Sequence, residues 1–310
     1  MKKWLVIFGT IIAYIVTVGI FFTNKVMYIR KKTDEELLDR EVKEGFYVEE
    51  AYRALKKESF SVPSPFGYIL KGTVIEQHDT NKFIIFCHGV TVHSITSIKY
   101  MNIFLDRGWN VILYDHRRHG QSEGNTTSYG HYEKFDLKAI IDWTKERFGQ
   151  DIVLGIHGES MGAATTLLYA GMVEDGANFY IVDCPFSDFE EQLTYRLKEE
   201  FHLPRQAVLP IANIFLKIRD GYSLKEVSPI RFVQNIQNPI LFIHSAQDDY
   251  ILPSMTMELY EKKQGPKQLY YAPFGTHARS YAENRFDYEK AVDNFLEKFG
   301  IEQKRMTQKV

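Results

Sequence analysis

The sequence predicts an α/β fold in which a mostly parallel sheet of about eight strands is covered by helices on both faces. Three observations support this prediction. The chain has 310 residues, of which 45% are hydrophobic and 25% charged, as in an ordinary globular protein. Short apolar runs alternate with amphipathic segments along most of its length. One of these runs leads through a glycine-flanked serine, Ser160, directly into an apolar helix-forming segment.

The predicted elements begin after residue 58, and the first two strands form an antiparallel start. Each short apolar run is bounded by polar turns and predicts a buried strand, while the amphipathic segments between them predict crossover helices. The predicted strands are Ser59–Pro63, Tyr68–Glu76, Phe83–His88, Trp109–Tyr114, Ile152–His157, Phe179–Asp183, Pro239–His244 and Lys267–Ala272. The predicted helices are Ser94–Arg107, His131–Phe148, Met161–Val173, Ser254–Lys263 and Tyr281–Phe299.

One long interval, between Pro185 and Asn238, has no strand pattern. Ser187–Phe201 has a helical pattern, and Leu209–Ile218 is strongly apolar. Insertions of this length between strands are usually functional. We therefore predict a helical lid over about residues 187–235, with a plain extra packing layer as the alternative.

The N-terminal segment predicts a membrane anchor. The chain carries no charge from Trp4 to Phe22, and as a helix this stretch is about 29 Å long, close to the hydrocarbon thickness of a bilayer. A cleaved signal peptide has a shorter apolar region and a small-residue cleavage site, which the residues after Phe22 do not provide. We predict a single-pass transmembrane anchor over residues 1–30 at the cell membrane, with a cleaved signal or a buried core helix as alternatives.

Basic residues stand on both sides of this anchor. The positive-inside rule favours a cytoplasmic catalytic domain only slightly, so the sequence leaves the side of the membrane open. Residues 31–57 are charged and helix-prone, and they predict a juxtamembrane helical linker. Residues 58–300 then form the α/β domain, and residues 301–310 a C-terminal tail.

Composition excludes several classes of partner. A net charge of −2 gives no reason to expect nucleic acid as a partner.

The two cysteines, Cys87 and Cys184, each follow an apolar run and are expected to be buried free thiols. His116 and His119 lack the acid of a helical zinc motif. We expect no metal and no organic cofactor, and the sequence does not give the oligomeric state.

The segment Gly158–Gly162 predicts a nucleophile elbow with Ser160 at its apex. A serine on a tight strand-to-helix turn has a strained backbone, and its neighbours must be small to avoid the strand and the helix. The helix that follows directs its free N–H groups at the reaction centre. The alternative is an ordinary strand–turn–helix connection with a capping serine.

A serine nucleophile needs a base, and the base needs an acid that orients it. His277 lies on a glycine-bearing loop after the last predicted strand, whereas His202 lies in the predicted lid and His244 closes a strand. We predict His277 as the base. Asp248 follows the strand that ends at His244, and we predict it as the acid, with its neighbour Asp249 as the alternative.

The oxyanion of the reaction needs two backbone donors. One is expected to be the N–H of Met161, directly after the nucleophile. The other is expected from the loop after the third strand, where we predict the N–H of Val90, with Thr91 as the alternative. The side chains of His88 and His157 are expected to be structural.

Over residues 59–299 the chain resembles the α/β-hydrolase-fold serine hydrolases, and it is most similar to the bacterial lipase, esterase and S33-peptidase-like branch. Five motifs carry the resemblance: His88-Gly89, the Asp115–Gly124 loop, Gly158–Gly162, the Asp248 loop and Gly275–His277. Two features depart from that branch. His244-Ser245 stands where it often has His-Gly, and the proline after the acid, Pro253, comes one residue later.

The resemblance implies a serine hydrolase, and the anchor places it at a membrane. We expect carboxylic-ester hydrolysis through Ser160, His277 and Asp248, with a small-molecule ester as substrate. The apolar lid and the anchor favour a lipid or acylated substrate. Three alternatives stay open: an acyltransferase, a non-catalytic membrane-binding module, and an S33-type peptidase or amidase. The last is supported by the lid carboxylates Glu190, Glu191, Glu199 and Glu200.

Overall fold

The computed structural model describes residues 1–303, so residues 304–310 of the predicted tail lie outside the described residues. Eight strands form one sheet: β1 (Lys57–Pro63), β2 (Ile69–Ile75), β3 (Lys82–Cys87), β4 (Asn110–Tyr114), β5 (Val153–Glu159), β6 (Phe179–Asp183), β7 (Ile240–Ser245) and β8 (Lys267–Ala272). The strand order is β1-β2-β4-β3-β5-β6-β7-β8. β2 pairs antiparallel with β1 and β4, and all other pairs are parallel. The predicted fold class is confirmed.

Helices connect the strands and extend to both ends of the described chain. They are α1 (Lys2–Met27), α2 (Asp34–Lys43), α3 (Glu49–Ala54), α4 (Ile98–Leu105), α5 (Glu133–Phe148), α6 (Met161–Leu168), α7 (Phe189–Phe201), α8 (Arg205–Asp220), α9 (Pro253–Lys262), α10 (Ser280–Glu283) and α11 (Arg285–Lys298). One face of the sheet is covered by α5 and α6, and the other by α4 and α11. The central strands are buried on both faces, which explains their continuous apolar runs.

The structure differs from the sequence prediction mainly at helix ends. The predicted last helix is divided at Asn284, whose side-chain amide donates to the carbonyl oxygens of Phe274 and Ser280, both at 2.8 Å. The α-helix after the elbow ends at Leu168, and the chain continues as a π-helical turn, Tyr169–Val173. The helix predicted from residue 94 starts with a 3₁₀ turn, Ser94–Ser97. Side-chain hydrogen bonds and packing determine where these helices end, and the hydrophobic periodicity of the sequence carries no information about them.

Residues 31–47 form a strap that lies across the α/β domain. Thr33 and Glu36 make a capping box that starts α2. Leu37 and Glu41 on α2 are almost completely buried, and the ring of Phe46 stacks on Tyr281 at 5.4 Å. The segment predicted as a helical linker is therefore helical and packs on the domain.

The helix α1 is long and apolar enough to cross a membrane, with a mean hydropathy of 2.5 in its most apolar window. Its C-terminal half lies beside α8. Gly19 faces the ring of Phe215 so closely that a Cβ on Gly19 would lie 2.4 Å from it. The guanidinium of Arg219 donates to the side chains of Thr23 and of Asn24, the latter at 2.8 Å.

The predicted lid region contains α7, α8 and three 3₁₀ turns. Its buried side chains form a core of their own, which includes Leu197 and Leu216 from the lid and Met27 from α1. The lid therefore joins the N-terminal helix to the α/β domain.

Candidate active site

Ser160 lies at the apex of a strained turn between β5 and α6. Its backbone has φ 55° and ψ −116°, in the region that favours glycine. A Cβ on Gly162 would lie 1.9 Å from the carbonyl oxygen of Cys87, and one on Gly158 would lie 2.5 Å from the carbonyl oxygen of Gly162. Both positions therefore require glycine, and together they let the serine side chain project from the end of the sheet.

The structure brings three of the predicted residues into one hydrogen-bonded chain. Ser160 Oγ lies 2.8 Å from His277 Nε2, and His277 Nδ1 lies 2.7 Å from Asp248 Oδ2. Asp248 is 3% exposed, whereas the side chain of Asp249 is exposed to solvent and contacts neither histidine. Of the two aspartates left open by the sequence, the geometry joins Asp248 to His277.

Asp248 is held as a carboxylate by its surroundings. Its Oδ2 lies 3.1 Å from His244 Nε2, and its Oδ1 accepts from the backbone N–H groups of Tyr250 and Ile251. Burial opposes ionisation, but the hydrogen bonds to His244 and His277 outweigh it, so the pKa of Asp248 lies well below its ordinary value. Sequence reasoning missed the contact of His244 with Asp248; its place at the end of β7, four residues before the acid, was the available signal.

His277 is fixed from two sides. The Ser245 hydroxyl lies within hydrogen-bonding distance of the carbonyl oxygens of Phe274, at 2.8 Å, and of Gly275, and its one proton, shared between them, ties the loop to the end of β7. The ring of Tyr250 lies 4.9 Å from the imidazole. Both groups come from the acid loop or its strand, so the same part of the chain positions the base and the acid.

The two predicted oxyanion donors lie next to the nucleophile. Met161 is the first residue of α6, so its N–H has no partner within the helix. Val90 follows β3 and lines the same small cavity as Ser160 and Met161. The alternative, Thr91, has φ 70°, and its carbonyl oxygen accepts from the N–H of Lys32 at 2.8 Å. The strap therefore contacts the loop that would hold the oxyanion.

A polar cavity of about 650 Å³ opens on one side of Ser160. Its wall contains a buried ion pair, in which Lys99 Nζ lies 2.6 Å from Glu159 Oε2, and Tyr100 donates to the same oxygen at 2.7 Å. The strap closes the cavity with Glu41 and with Glu44, which pairs with Arg279 at 2.8 Å. This charged wall could not be recognised in the sequence, because the residues that form it come from four separate segments of the chain.

Burial raises the pKa of the Glu41 carboxyl above its ordinary value, with Lys99 and Arg40 opposing the shift. Its Oε2 is buried and has no hydrogen-bond partner within residues 1–303. Burial would likewise raise the pKa of Glu159, but the charge and hydrogen bond of Lys99 outweigh burial and lower it. Glu159 is therefore an ionised carboxylate paired with Lys99, whereas the carboxyl group of Glu41 lacks a hydrogen-bond partner at Oε2.

The remaining histidines of the sequence motifs support loops. His88 Nε2 accepts from the N–H of His116 at 2.9 Å, and His157 Nε2 lies 2.9 Å from the hydroxyl of Tyr288. Asp115 accepts from the N–H groups of Ser94 and Gln121, which fixes the loop after β4.

Both cysteines are buried free thiols. The Cys184 sulfur lies near Asp248 and His277, and such a trio can in principle hold a metal ion. Burial raises the pKa of the Cys184 thiol well above its ordinary value, whereas a metal ligand must be a thiolate. The aspartate and the imidazole already bond to each other, so these residues fit a serine–histidine–aspartate chain better than a metal site.

Comparison with known proteins agrees with this architecture. The family model described as "Serine aminopeptidase, S33" matches residues 78–219. The protein YqkD of Bacillus subtilis (strain 168) is 52% identical over 298 residues, which are 96% of this chain and 98% of YqkD. The membrane protein YNL320W of Saccharomyces cerevisiae is 22% identical over 172 residues, 55% of each chain.

Among solved structures, the esterase Pf2001 of Pyrococcus furiosus superimposes with a TM-score of 0.67 at 21% identity, covering 81% of this chain and 96% of that esterase. At this identity the likeness concerns the fold. The extended match to YqkD places the chain in one family with that protein, and the S33 family model over residues 78–219, read with the eight-stranded sheet and the serine elbow, identifies this family as hydrolases of the α/β-hydrolase fold.

Proposed function

We propose that this protein is a membrane-anchored serine hydrolase that cleaves carboxylic esters through an acyl-enzyme on Ser160. The observation that carries the proposal is the hydrogen-bonded chain from Ser160 through His277 to Asp248, built on a strained elbow. A binding module has no need for this combination, because the strain and the buried carboxylate both cost stability.

The proposed reaction has two halves. His277 Nε2 takes the proton of Ser160 as Oγ attacks the ester carbonyl, and ionised Asp248 stabilises the imidazolium that forms. The N–H groups of Met161 and Val90 donate to the oxyanion. The alcohol leaves with the proton from His277, and a water molecule then releases the acid by the same steps in reverse.

The anchor is proposed from α1, which is long and apolar enough to cross a bilayer. The description of YNL320W as a membrane protein is in line with this. An ester substrate is in line with the description of Pf2001, which has the same fold, as an esterase.

A peptidase activity is the second candidate, because the matching family model is described as a serine aminopeptidase. The lid carboxylates that the sequence offered for a substrate amine are partly engaged by arginines. Glu190 pairs with Arg205 at 2.5 Å and Glu200 with Arg196 at 2.9 Å. This pairing leaves less negative charge for a substrate amine, so we place the ester first. Turnover of aminoacyl p-nitroanilides faster than of p-nitrophenyl esters would reverse this order.

The test compares full-length wild type, Ser160→Ala and the control Ser254→Ala, which changes an exposed serine outside the site. A fluorophosphonate probe should label the wild type and the control but not Ser160→Ala, and p-nitrophenyl butyrate turnover should fall by roughly six orders of magnitude in that variant. Labelling retained in Ser160→Ala would exclude Ser160 as the nucleophile.

A further inference from the structure

We propose that the acyl chain of the substrate lies in a channel between the lid and the N-terminal helix α1, so that the enzyme takes long-chain esters laterally from the bilayer. This inference rests on the proposed function, since it assumes that the ester carbonyl is attacked by Ser160. It adds the substrate class, the path of the acyl chain and a role for α1 as a wall of the substrate site.

The channel begins at the nucleophile. A narrow cavity of about 40 Å³ opens beside Ser160, and its lining contains neither Lys99 nor Glu159 of the charged wall. Met161, Phe186 and Ile251 line it from the α/β domain, and Phe189 from the start of the lid. Its lining is mostly apolar, as an acyl chain requires.

The cavity adjoins a wide apolar cleft of about 620 Å³. Four residues line both spaces: Tyr129, Leu193, Arg196 and Tyr250. The two spaces therefore adjoin at these side chains, and the proposed channel runs between them at this point.

One wall of the cleft belongs to α1 and the other to the lid. Phe21, Phe22 and Val26 contribute from α1, facing Leu197 and Leu216 of the lid. The ring of Phe201 lies 5.2 Å from that of Phe22, edge to face, which closes the cleft at one side. The N-terminal helix is thus a direct part of this apolar space.

The cleft lies where the apolar span of the chain ends. Phe22 is the last residue of the apolar stretch, and Lys25, the next charged residue, also lines the cleft. Aromatic and basic residues in this order are typical of a membrane–water interface. Beside α1, the outer face of α8 exposes Ile214 (58%) and Ile218 (76%), one helical turn apart. A bilayer would cover this apolar stripe, and its lipid would be continuous with the cleft.

The two sides of Ser160 differ in polarity, which fixes how an ester must lie. The cavity on the other side of Ser160 is lined by charged side chains, among them Glu41, Lys99 and Glu159, which suit a polar group and not a hydrocarbon chain. The acyl chain therefore takes the apolar side and the alcohol part takes the polar side. The substrate class is an amphiphile with a long acyl chain and a polar alcohol.

The experiment measures kcat/KM of the full-length protein in detergent for p-nitrophenyl esters from acetate to decanoate. Each methylene buried in the channel should raise kcat/KM by about fourfold. Leu193→Trp should fill the junction and Ala212→Trp the wide cleft. A blocked channel that loses three methylenes should lower the ratio of kcat/KM for decanoate to that for acetate by about 60-fold relative to wild type. The matched control is Ile214→Trp, on the outer face of the same helix as Ala212.

A second measurement tests lateral access. 4-Methylumbelliferyl oleate is dissolved in phosphatidylcholine vesicles, either those that carry the reconstituted protein or a separate vesicle population. Hydrolysis should be fast only when substrate and protein share a bilayer, and Ala212→Trp should remove this advantage.

The failure modes are distinguishable. If the fluorophosphonate probe labels Ser160 but kcat/KM does not rise with chain length, or if the tryptophan variants and Ile214→Trp behave alike, the channel is overturned and the hydrolase stands. Equal rates from shared and separate vesicles overturn lateral access. Absence of both labelling and ester turnover in wild type overturns the proposed function itself.

Discussion

Replacing Lys99 by methionine tests the buried ion pair directly beneath the nucleophile. Lys99 and Glu159 are 7% and 8% exposed in their side chains, and Lys99 Nζ lies 2.6 Å from Glu159 Oε2. The variant keeps an unbranched side chain that is one atom shorter but leaves Glu159 charged in a buried site, with Tyr100 as its remaining hydrogen-bond donor at 2.7 Å. Breaking a buried pair in this way costs about 3–5 kcal/mol of unfolding free energy.

The pH dependence provides a second signature. In the wild type the pKa of Glu159 is lowered, so its contribution to stability is complete above about pH 4.3, the unfolded value, and is lost as pH falls through the folded pKa. Without Lys99, burial alone raises the pKa of Glu159, and protonation then relieves the buried charge. The stability deficit of Lys99→Met should therefore be largest near neutral pH and should shrink as the pH is lowered towards about 4.

The assay is urea unfolding of the full-length protein in detergent, followed by the fluorescence of Trp109 and Trp143. The control is Lys43→Met, which breaks an exposed pair of the same length, 2.6 Å to Asp39, with side chains 72% and 56% exposed. Such a pair contributes less than about 1 kcal/mol.

The double variant Lys99→Met/Glu159→Gln removes both charges and should recover most of the loss. The stabilising role of the buried pair is contradicted if Lys99→Met lowers the unfolding free energy no more than Lys43→Met, or if the double variant is no more stable than the single one.

Three further predictions concern single positions. Asp248→Asn should lower kcat for ester turnover by about 10⁴-fold, while Asp249→Asn should leave it near wild type; equal losses would contradict the assignment. Gly162→Ala should abolish probe labelling and lower the thermal midpoint, because its Cβ would lie 1.9 Å from a backbone carbonyl oxygen; a wild-type midpoint would contradict the close approach. Burial raises the pKa of Asp136 to about 7, so its contribution to stability is complete below about pH 3.9 and is lost as pH rises through about 7. Urea midpoints of Asp136→Asn should therefore vary less between about pH 5 and pH 8 than those of wild type. Identical pH profiles of the midpoint for the two proteins would contradict the raised pKa of Asp136.

Much of the fold could be predicted because the signals are local. Each central strand is buried on both faces and therefore forms a short apolar run in the sequence. Each crossover helix shows the helical periodicity of its apolar residues. The elbow was predictable for the same reason, since Gly158, Ser160 and Gly162 meet one another within a single turn. His277 and Asp248 could be named because the chain order of such a site restricts the choice to a few loop residues. Their hydrogen-bond distances needed the structure.

The contacts missed by sequence reasoning join segments that are far apart in the chain. Lys99 and Glu159 each look like an ordinary charged residue until α4 packs against the end of β5. His244 becomes a partner of Asp248 only when the acid loop folds back over the end of β7.

The sequence by itself determined the α/β class, the order of the strands along the chain, the serine elbow and the apolar N-terminal helix, because periodicity and turn chemistry act within a few residues. Only the tertiary structure decided that the strap covers the polar cavity and that α1 and the lid enclose an apolar cleft beside Ser160. These features depend on which apolar faces of the helices and the sheet pack against each other. The hydrophobic pattern of each segment is compatible with many such packing arrangements. Packing of the whole chain selects one of them.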